Sequence, residues 1–466
     1  MKLSSLSLLL LSSSGAVTAS ELQKPLHLQP ASDSFPASTT SDSRLSSNAD
    51  TEAPPYRDEL VSLHKSLVEI SSISLDENEV GKFLIEYLTS HGFVAKAQYL
   101  PPANTSHSSS SSSSNAADEP PPKPRFNVLA WPASSAQHAS SSISDKPKVL
   151  VTSHIDTVPP FIPYSRTEGP LDADTLIAGR GTVDAKASVA AQIFAVQALL
   201  ESDAVSADEI MLLYVVDEEN GGAGMRHFSD SVNGHPDSGS HSQSSSKSNS
   251  GSSFWEGIPP NIKAAIFGEP TEGKLACGHK GFFGCTIVAH GKAGHSGYPW
   301  LGKSATEVLM RGLVAVLDAR LGSSPEFGDT TVNVGRLSGG VASNVIAERA
   351  EARVAGRVAI GPELGGGGVV AGRLADVLRV VDADAFELDC VNGYGVVRCE
   401  CEVPGFENIT VNYGTDVPNF RGAHARYLYG PGSIFVAHGR DEAIRLGDLE
   451  GAVEDYKRLV LHAVEN

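Results

Sequence analysis

Only five of the 466 residues are cysteine, and Cys399-x-Cys401 has the wrong spacing for a zinc knuckle, so the thiols read as structural. Their odd number leaves at least one unpaired within the chain. In an oxidising compartment Cys277 with Cys285, and Cys390 with Cys399 or Cys401, are the expected pairings. Basic residues are also scarce: 36 Lys and Arg stand against 55 Asp and Glu, a net charge of −19. That balance argues against a nucleic-acid partner or an anionic membrane surface. Beyond Leu6–Leu11 no apolar run approaches the ~20 residues that cross a bilayer, so no membrane span is expected.

What is present suffices for a sizeable core: 41% of residues are hydrophobic. The length allows two domains of ~100–200 residues each. At the N-terminus, Lys2, the apolar run Leu6–Leu11 and the small residues Val17 and Ala19 read as a signal peptide over residues 1–19. The expected destination is secreted, and the sequons at Asn104 and Asn408 read as glycosylation acceptors. Residues 20–55 form a polar leader rich in Ser and Pro, and serine-rich insertions near 104–124 and 229–253 read as disordered surface segments.

Between these stretches the periodicity is regular. Leu60, Leu63, Leu67 and Ile70 share one helix face, as do Val80, Phe83, Leu84, Tyr87 and Leu88. Lys148–Thr152, Ile210–Val216 and Ala264–Phe267 are short apolar strands, and Ala185–Leu200 is a helix. The alternation predicts a mainly parallel sheet. From Gly281 the pattern becomes β-α-β-β-α-β, the split arrangement of a ferredoxin-like domain. Its parts are strands at 283–290, 330–337, 350–360 and 386–391 and helices at 304–321 and 371–381, with Val396–Val403 a further strand and Gly365–Gly368 a loop. The chain then returns to the first domain through a strand at Gly430–Ala437 and a final helix at Asp448–Val464. The expected class is α/β: a catalytic domain over 56–280 and 403–466, with an inserted α+β domain over 281–402.

Polar groups collect at the ends of the apolar strands: His154 and Asp156, Glu218 and Glu219, Glu269 and His438, joined by Asp184 at a helix start. Strand ends of one parallel sheet face one edge, where chemistry gathers. Two histidines and several carboxylates make an N/O donor set suited to Zn²⁺, or less specifically Mn²⁺ or Co²⁺. A bridging carboxylate with one His and one terminal carboxylate per ion would make a two-metal hydrolytic centre. The adjacent Glu218-Glu219 can both reach it only if the chain bends there; one would ligate and the other act as general base.

The stretches Ser153–Val158, Gly179–Lys186, Asp217-Glu218-Glu219 and Gly268-Glu269-Pro270-Thr271 resemble the signature blocks of the co-catalytic zinc family of acetylornithine deacetylase, succinyl-diaminopimelate desuccinylase, aminoacylase and glutamate carboxypeptidase. Ala289–Pro299, around His295, and Thr331–Gly335 with Gly339–Ile346 resemble that family's lid motifs, and the similarity runs from about Arg57 to the C-terminus outside the insertions. The resemblance implies two zinc ions per subunit. His154, Asp184 and Glu269 would hold one, and Asp184, Glu219 and His438 the other. It makes Asp156 the partner that orients His154, Glu218 the general base, and His295 the lid group that stabilises the oxyanion, in dimeric relatives at the neighbouring subunit's site. Asn344 and Arg357 match carboxylate-binding positions, and Gly414-Thr415-Asp416 a substrate-side loop. After Asp184-Ala185-Lys186 the family's usual glycine is replaced by Ala187, and Ala355 stands where an acidic residue is common before Arg357.

Three functions are weighed. The first is a secreted di-zinc hydrolase that cleaves an amide beside a free carboxylate, in a small peptide or an N-acyl amino acid, with a homodimer formed through the lid. The second is a secreted di-zinc aminopeptidase, against which the inserted segment between Glu269 and His438 counts. The third is a non-catalytic binding homologue, which would lack a ligand or the base.

Overall fold

The structure is a computed structural model and describes residues 53–101, 123–133, 148–234 and 261–466. The stretch read as a signal peptide, nearly all of the expected leader, Asn104 and most of both serine-rich insertions lie outside these residues. The apolar β-branched runs form the centre of a nine-stranded sheet. Strands Ile210–Val215, Val149–His154, Ala264–Gly268 and Ala425–Tyr429 lie side by side in that order, all parallel. The first three are buried at every residue, which is why their sequences run continuously apolar instead of alternating. Antiparallel strands flank them: Phe93–Tyr99 and Phe126–Pro132 on one side, Leu275–His279 and Val397–Arg398 on the other. Asn408–Val411 joins Leu275–His279 in parallel, leaving Asn408 exposed at its first residue.

One face of the sheet is covered by α1 (Arg57–Glu69), α2 (Asn78–Ser90) and α3 (Lys186–Glu201). The C-terminal helix packs beside them, in a core that includes Leu60, Leu84, Ile193 and Tyr456. The other face packs against α4 (Ala223–Asn233) through Met225 and Phe228. Helix α4 runs five residues into the region read as a polar insertion from Ser229. That serine is fully buried, and its hydroxyl accepts the Arg421 N–H at 2.9 Å.

The inserted domain has four antiparallel strands in the order Thr331–Gly339, Arg349–Val358, Gly281–His290, Phe386–Tyr394. Burial alternates residue by residue along Gly281–His290, one face packing on α5 (Ala305–Asp318) and α6 (Gly366–Val381). The βαββαβ order matches the sequence reading, with two corrections. First, α6 begins inside the glycine run expected to be a loop. A Cβ on Gly366 would come within 2.4 Å of the Gly395 backbone and one on Gly367 within 2.7 Å of the Phe282 carbonyl, so only glycine lets this helix start lie against the sheet. Second, the chain leaves this sheet at Tyr394, not at 402, because Val397–Arg398 pairs with Leu275–His279 in the large sheet.

The chain is thus back in the large sheet before the strand expected at Gly430–Ala437, in whose place stands Ala425–Tyr429; residues 433–439 form turns, and α7 (Leu446–Glu465) follows. The disulfides also differ from the expected pairings: Cys277 bonds Cys401, Cys285 bonds Cys390, and Cys399 is free. Cys285 and Cys390 sit directly opposite each other across neighbouring strands, whereas Cys277 and Cys285 belong to different sheets. Among the described residues, no helix is long and apolar enough to cross a membrane.

Candidate metal centre

His154 closes a central strand, and its parallel neighbours end in Val215 and Gly268, so the turns carrying Glu218-Glu219 and Glu269 open on the same edge. The bend required at the paired glutamates is present. Asp217 has φ +70°, and its carbonyl accepts the Gly221 and Gly222 N–H groups at 3.1 and 2.6 Å. Asp184 arrives from the turn before α3, and His438 from a turn in which its own φ is +63°.

Asp184 lies between the two histidines. Its Oδ1 is 3.0 Å from His154 Nε2, and its Oδ2 is 3.1 Å from His438 Nε2. His154 Nε2 is also 3.8 Å from Glu269 Oε2, and His438 Nε2 is 3.0 Å from Glu219 Oε2. Two groups result, His154–Asp184–Glu269 and Asp184–Glu219–His438, each with its donor atoms within 4.8 Å of one another. They share Asp184, one oxygen to each.

Asp156 does something the sequence did not reveal. Its carboxylate accepts the backbone N–H of Glu218 at 3.0 Å, that of Glu219 at 3.3 Å, and the Ser74 hydroxyl at 2.7 Å. The His154 ring meets it mainly through the main chain, Nδ1 lying 3.0 Å from the Asp156 carbonyl and 3.7 Å from its carboxylate. Asp156 therefore fixes the turn that carries both glutamates as well as bracing the histidine.

The electrostatics record a surplus of buried negative charge. Burial pushes Glu218 and Glu269 well above the usual carboxylate range, with repulsion from Glu269 adding to it at Glu218 and repulsion from Asp184 and Glu219 at Glu269. Burial lifts Asp416 to about 6. Hydrogen bonds to Asp184 and then Glu219 raise His438 to about 10. His154 is raised well above its ordinary value because Glu269, Asp184 and Glu218 outweigh the opposing effect of burial. Two histidines cannot neutralise this many carboxylates. Two divalent cations can, so the donor chemistry and the charge both fit a dinuclear site.

A second layer escaped the sequence reading. Glu442 Oε1 accepts the N–H groups of Gly181, Val183 and Asp184 at 2.9, 3.2 and 3.3 Å, and its Oε2 accepts Arg180 Nη1 at 2.6 Å. Arg180 Nη2 in turn donates to the His438 carbonyl at 3.3 Å. No local signal marks this pair, whose members stand 262 residues apart.

Lid residues are placed differently. His295 and Asn344 come together on the inserted domain: His295 pairs with Val345, and the Ser296 N–H donates to the Asn344 carbonyl at 3.0 Å. Both are exposed, and among the described residues neither has a hydrogen bond or ion pair to the cluster. Arg357 is exposed on its strand but reaches the catalytic domain. A Cβ on Gly414 would lie 3.2 Å from Arg357 Nη1 and 2.4 Å from the Tyr394 hydroxyl.

Comparison with known proteins agrees with this geometry. Residues 150–462 match the model of peptidase family M20/M25/M40. An M20 domain-containing protein of Sordaria macrospora is 50% identical over 89% of this chain and 86% of its own length. A protein of Aspergillus niger named a probable carboxypeptidase is 42% identical over 89% and 91%. Among solved structures, an M20 family metallo-carboxypeptidase of Sulfolobus solfataricus aligns with TM-score 0.61 at 15% identity, over 88% of this chain and all of that one. An aminopeptidase of Bacillus cereus aligns at 0.59 and 17%, over 88% and 99%. A dinuclear metal binding M20 peptidase of Bacillus subtilis aligns at 0.53 and 14%, again over 88% and 99%. The chain belongs to peptidase family M20/M25/M40 and is a metallo-hydrolase of peptide bonds.

Proposed function

We propose that the protein is a secreted two-zinc carboxypeptidase-type hydrolase that cleaves the peptide bond next to a free C-terminal carboxylate. The observation that carries the two-metal reading is Asp184, whose two oxygens each face a histidine-containing donor group beside Glu218. His154, Asp184 and Glu269 would hold one ion, and Asp184, Glu219 and His438 the other. Bound there, the ions would supply Lewis acidity toward the scissile carbonyl and the attacking water. Glu218 takes the proton of that water on its carboxylate and returns it to the leaving amine. Its place is set by the hydrogen bond from its own N–H to Asp156. Arg357 and Asn344 bind the substrate carboxylate, and His295 donates to the developing oxyanion.

The names of relatives such as the Aspergillus protein support the carboxypeptidase direction. The inserted domain does not, contrary to the expectation that it argues against aminopeptidases. This fold, insert included, aligns over nearly the whole of both an aminopeptidase and a carboxypeptidase. Secretion rests on the N-terminal sequence and on Asn408, exposed in the fold as a glycosylated asparagine must be. We further propose a homodimer through the lid. Its edge strand Thr331–Gly339 is exposed along one side, α5 exposes Met310, Val314 and Leu317, and His295 stands apart from the cluster of its own chain.

The test pairs metal analysis with a peptide panel. The full chain should carry about two zinc ions, and Glu218→Gln should keep them while losing about 10²–10⁴-fold in kcat. Peptides with a free C-terminus should be cut and their amides spared. Release of N-terminal residues from C-amidated peptides would replace this reading with the aminopeptidase one, and a fully active Glu218→Gln enzyme would overturn the mechanism.

A further inference from the structure

A buried carboxylate near the inserted domain has one of its two oxygens left without a donor. Asp416 is 5% exposed, and its Oδ1 accepts Asn419 Nδ2 at 2.6 Å. Its Oδ2 has no hydrogen-bond partner among the described residues. The same holds for Thr152 Oγ1, fully buried on the strand that ends in His154. Both residues line one cavity of about 10 Å³, with His154, Glu218 and Glu269 around it and Val215, Met225 and Phe267 as apolar wall. That volume admits one group the size of a water molecule. Leaving buried acceptors unpaired is unfavourable, so the cavity calls for a donor.

The acceptors are two orphan oxygens beside the Glu218 carboxylate, in walls that carry no lysine or arginine. A primary ammonium fits this demand: it is close to water in size, positively charged, and offers three N–H donors. The opposite charge stands on the other flank of the same loop. Arg357 of the lid approaches Gly414, two residues before Asp416, with the Tyr394 hydroxyl beside it.

We infer that Asp416, with Thr152, binds a free α-ammonium on the acyl side of the scissile bond. The substrate class is then the unblocked dipeptide, a zwitterion held by Arg357 at its carboxylate and by Asp416 at its amine, with the metal centre between. N-acyl amino acids lack the group that the cavity is built to pair. This rests on the preceding assignment of Arg357 to the substrate carboxylate.

The experiment uses the full-length holoenzyme and four matched compounds: alanyl-leucine, its N-acetyl derivative, propanoyl-leucine (the same molecule without the amine), and alanyl-leucinamide. For the wild type, kcat/KM on alanyl-leucine should exceed that on propanoyl-leucine and on the N-acetyl compound by about 100-fold or more. Asp416→Asn should lower kcat/KM on alanyl-leucine by about 30-fold, mainly through KM, and change propanoyl-leucine by less than about threefold. Metal content of the variant should equal that of the wild type. Equal wild-type turnover of alanyl-leucine and propanoyl-leucine would overturn the inference and leave the cavity to a structural water, as would an equal loss on both in the variant. The amide reports separately: if it is cut as fast as the free acid, the carboxylate assignment fails whatever the amine comparison gives.

Discussion

Glu442 shows how far a single side chain can reach without touching substrate. One buried carboxylate accepts three N–H groups of the turn that delivers Asp184, and its partner Arg180 holds the His438 carbonyl. Both members are nearly inaccessible, 2% and 1% exposed, so removing one charge strands the other. Glu442→Gln is expected to cost about 3–5 kcal/mol of stability and to weaken retention of the ion between Asp184, Glu219 and His438 by about 10–100-fold. Dialysis against graded chelator followed by metal analysis checks this. Retention equal to wild type would show that Asp184 and His438 are placed by something else. Glu218→Gln is the contrast, since that side chain is proposed to move a proton and not to hold an ion. Most of the clustered residues were legible in sequence because they follow an apolar strand or precede a helix; His438 is the exception, since the strand expected at Gly430–Ala437 is a run of turns. Glu442 was not legible, because its partners are distant in the chain and a carboxylate four residues before α7 resembles any solvated loop acid.

Among the elements, the inserted domain is moored at its base. Cys277 lies in the strand before the insert and Cys401 after it, so this disulfide, with a sequence separation of 124, closes the whole lid into one loop. Cross-linking so long a loop removes much of the freedom of the unfolded chain. In the chain-entropy model, replacing Cys277 and Cys401 together with alanine lowers stability by about 4–5 kcal/mol. Denaturant unfolding of the double variant measures it, and a loss under about 1 kcal/mol would indicate that the unfolded chain is held compact by other means. The expected Cys277–Cys285 pairing failed because sequence proximity says nothing about which sheet a strand joins. Register decided it, setting Cys285 opposite Cys390. The glycine run at the start of α6 misled for a related reason: glycine reads locally as a breaker, but here its missing side chain admits a neighbouring backbone.

At the scale of the whole molecule, acid should unfold this protein partly through histidines buried neutral. Burial lowers His64 to about 4, with Lys186 adding to the effect against the Thr182 carbonyl. Burial likewise lowers His279 to about 4, with Arg357 and Arg426 reinforcing it. The unfolded chain protonates these rings near 6.5, so between pH 6.5 and about 4 it binds more protons than the folded one, and stability falls as pH drops through that window. Each ring contributes at most about 1.4 kcal/mol per pH unit. His64→Gln should make the acid limb shallower by that amount in denaturant titrations run from pH 7 to 4. An unchanged slope would mean the ring is already protonated in the fold. The proposed dimer makes a prediction of its own. Inactive His295→Ala and Glu218→Gln chains, mixed and refolded together, should regain activity, because a mixed dimer has one site with Glu218 from one chain and His295 from the other. No recovery, despite dimers seen by sedimentation, would place His295 in the site of its own chain.

The sequence by itself determined the parallel α/β core, the βαββαβ insert and the identity of the clustered polar residues. Hydrophobic periodicity and the change from apolar strand to polar turn are local and survive in one dimension. Tertiary structure alone decided that Asp184 faces both histidines, that Asp156 braces the Glu218-Glu219 turn and Glu442 the Asp184 turn, which cysteines pair, and that Asp416 and Thr152 share an unpaired cavity. Each of these depends on where side chains from distant strands end up. A chain reports that placement only once its sheets have packed and its buried polar groups have found, or failed to find, their partners.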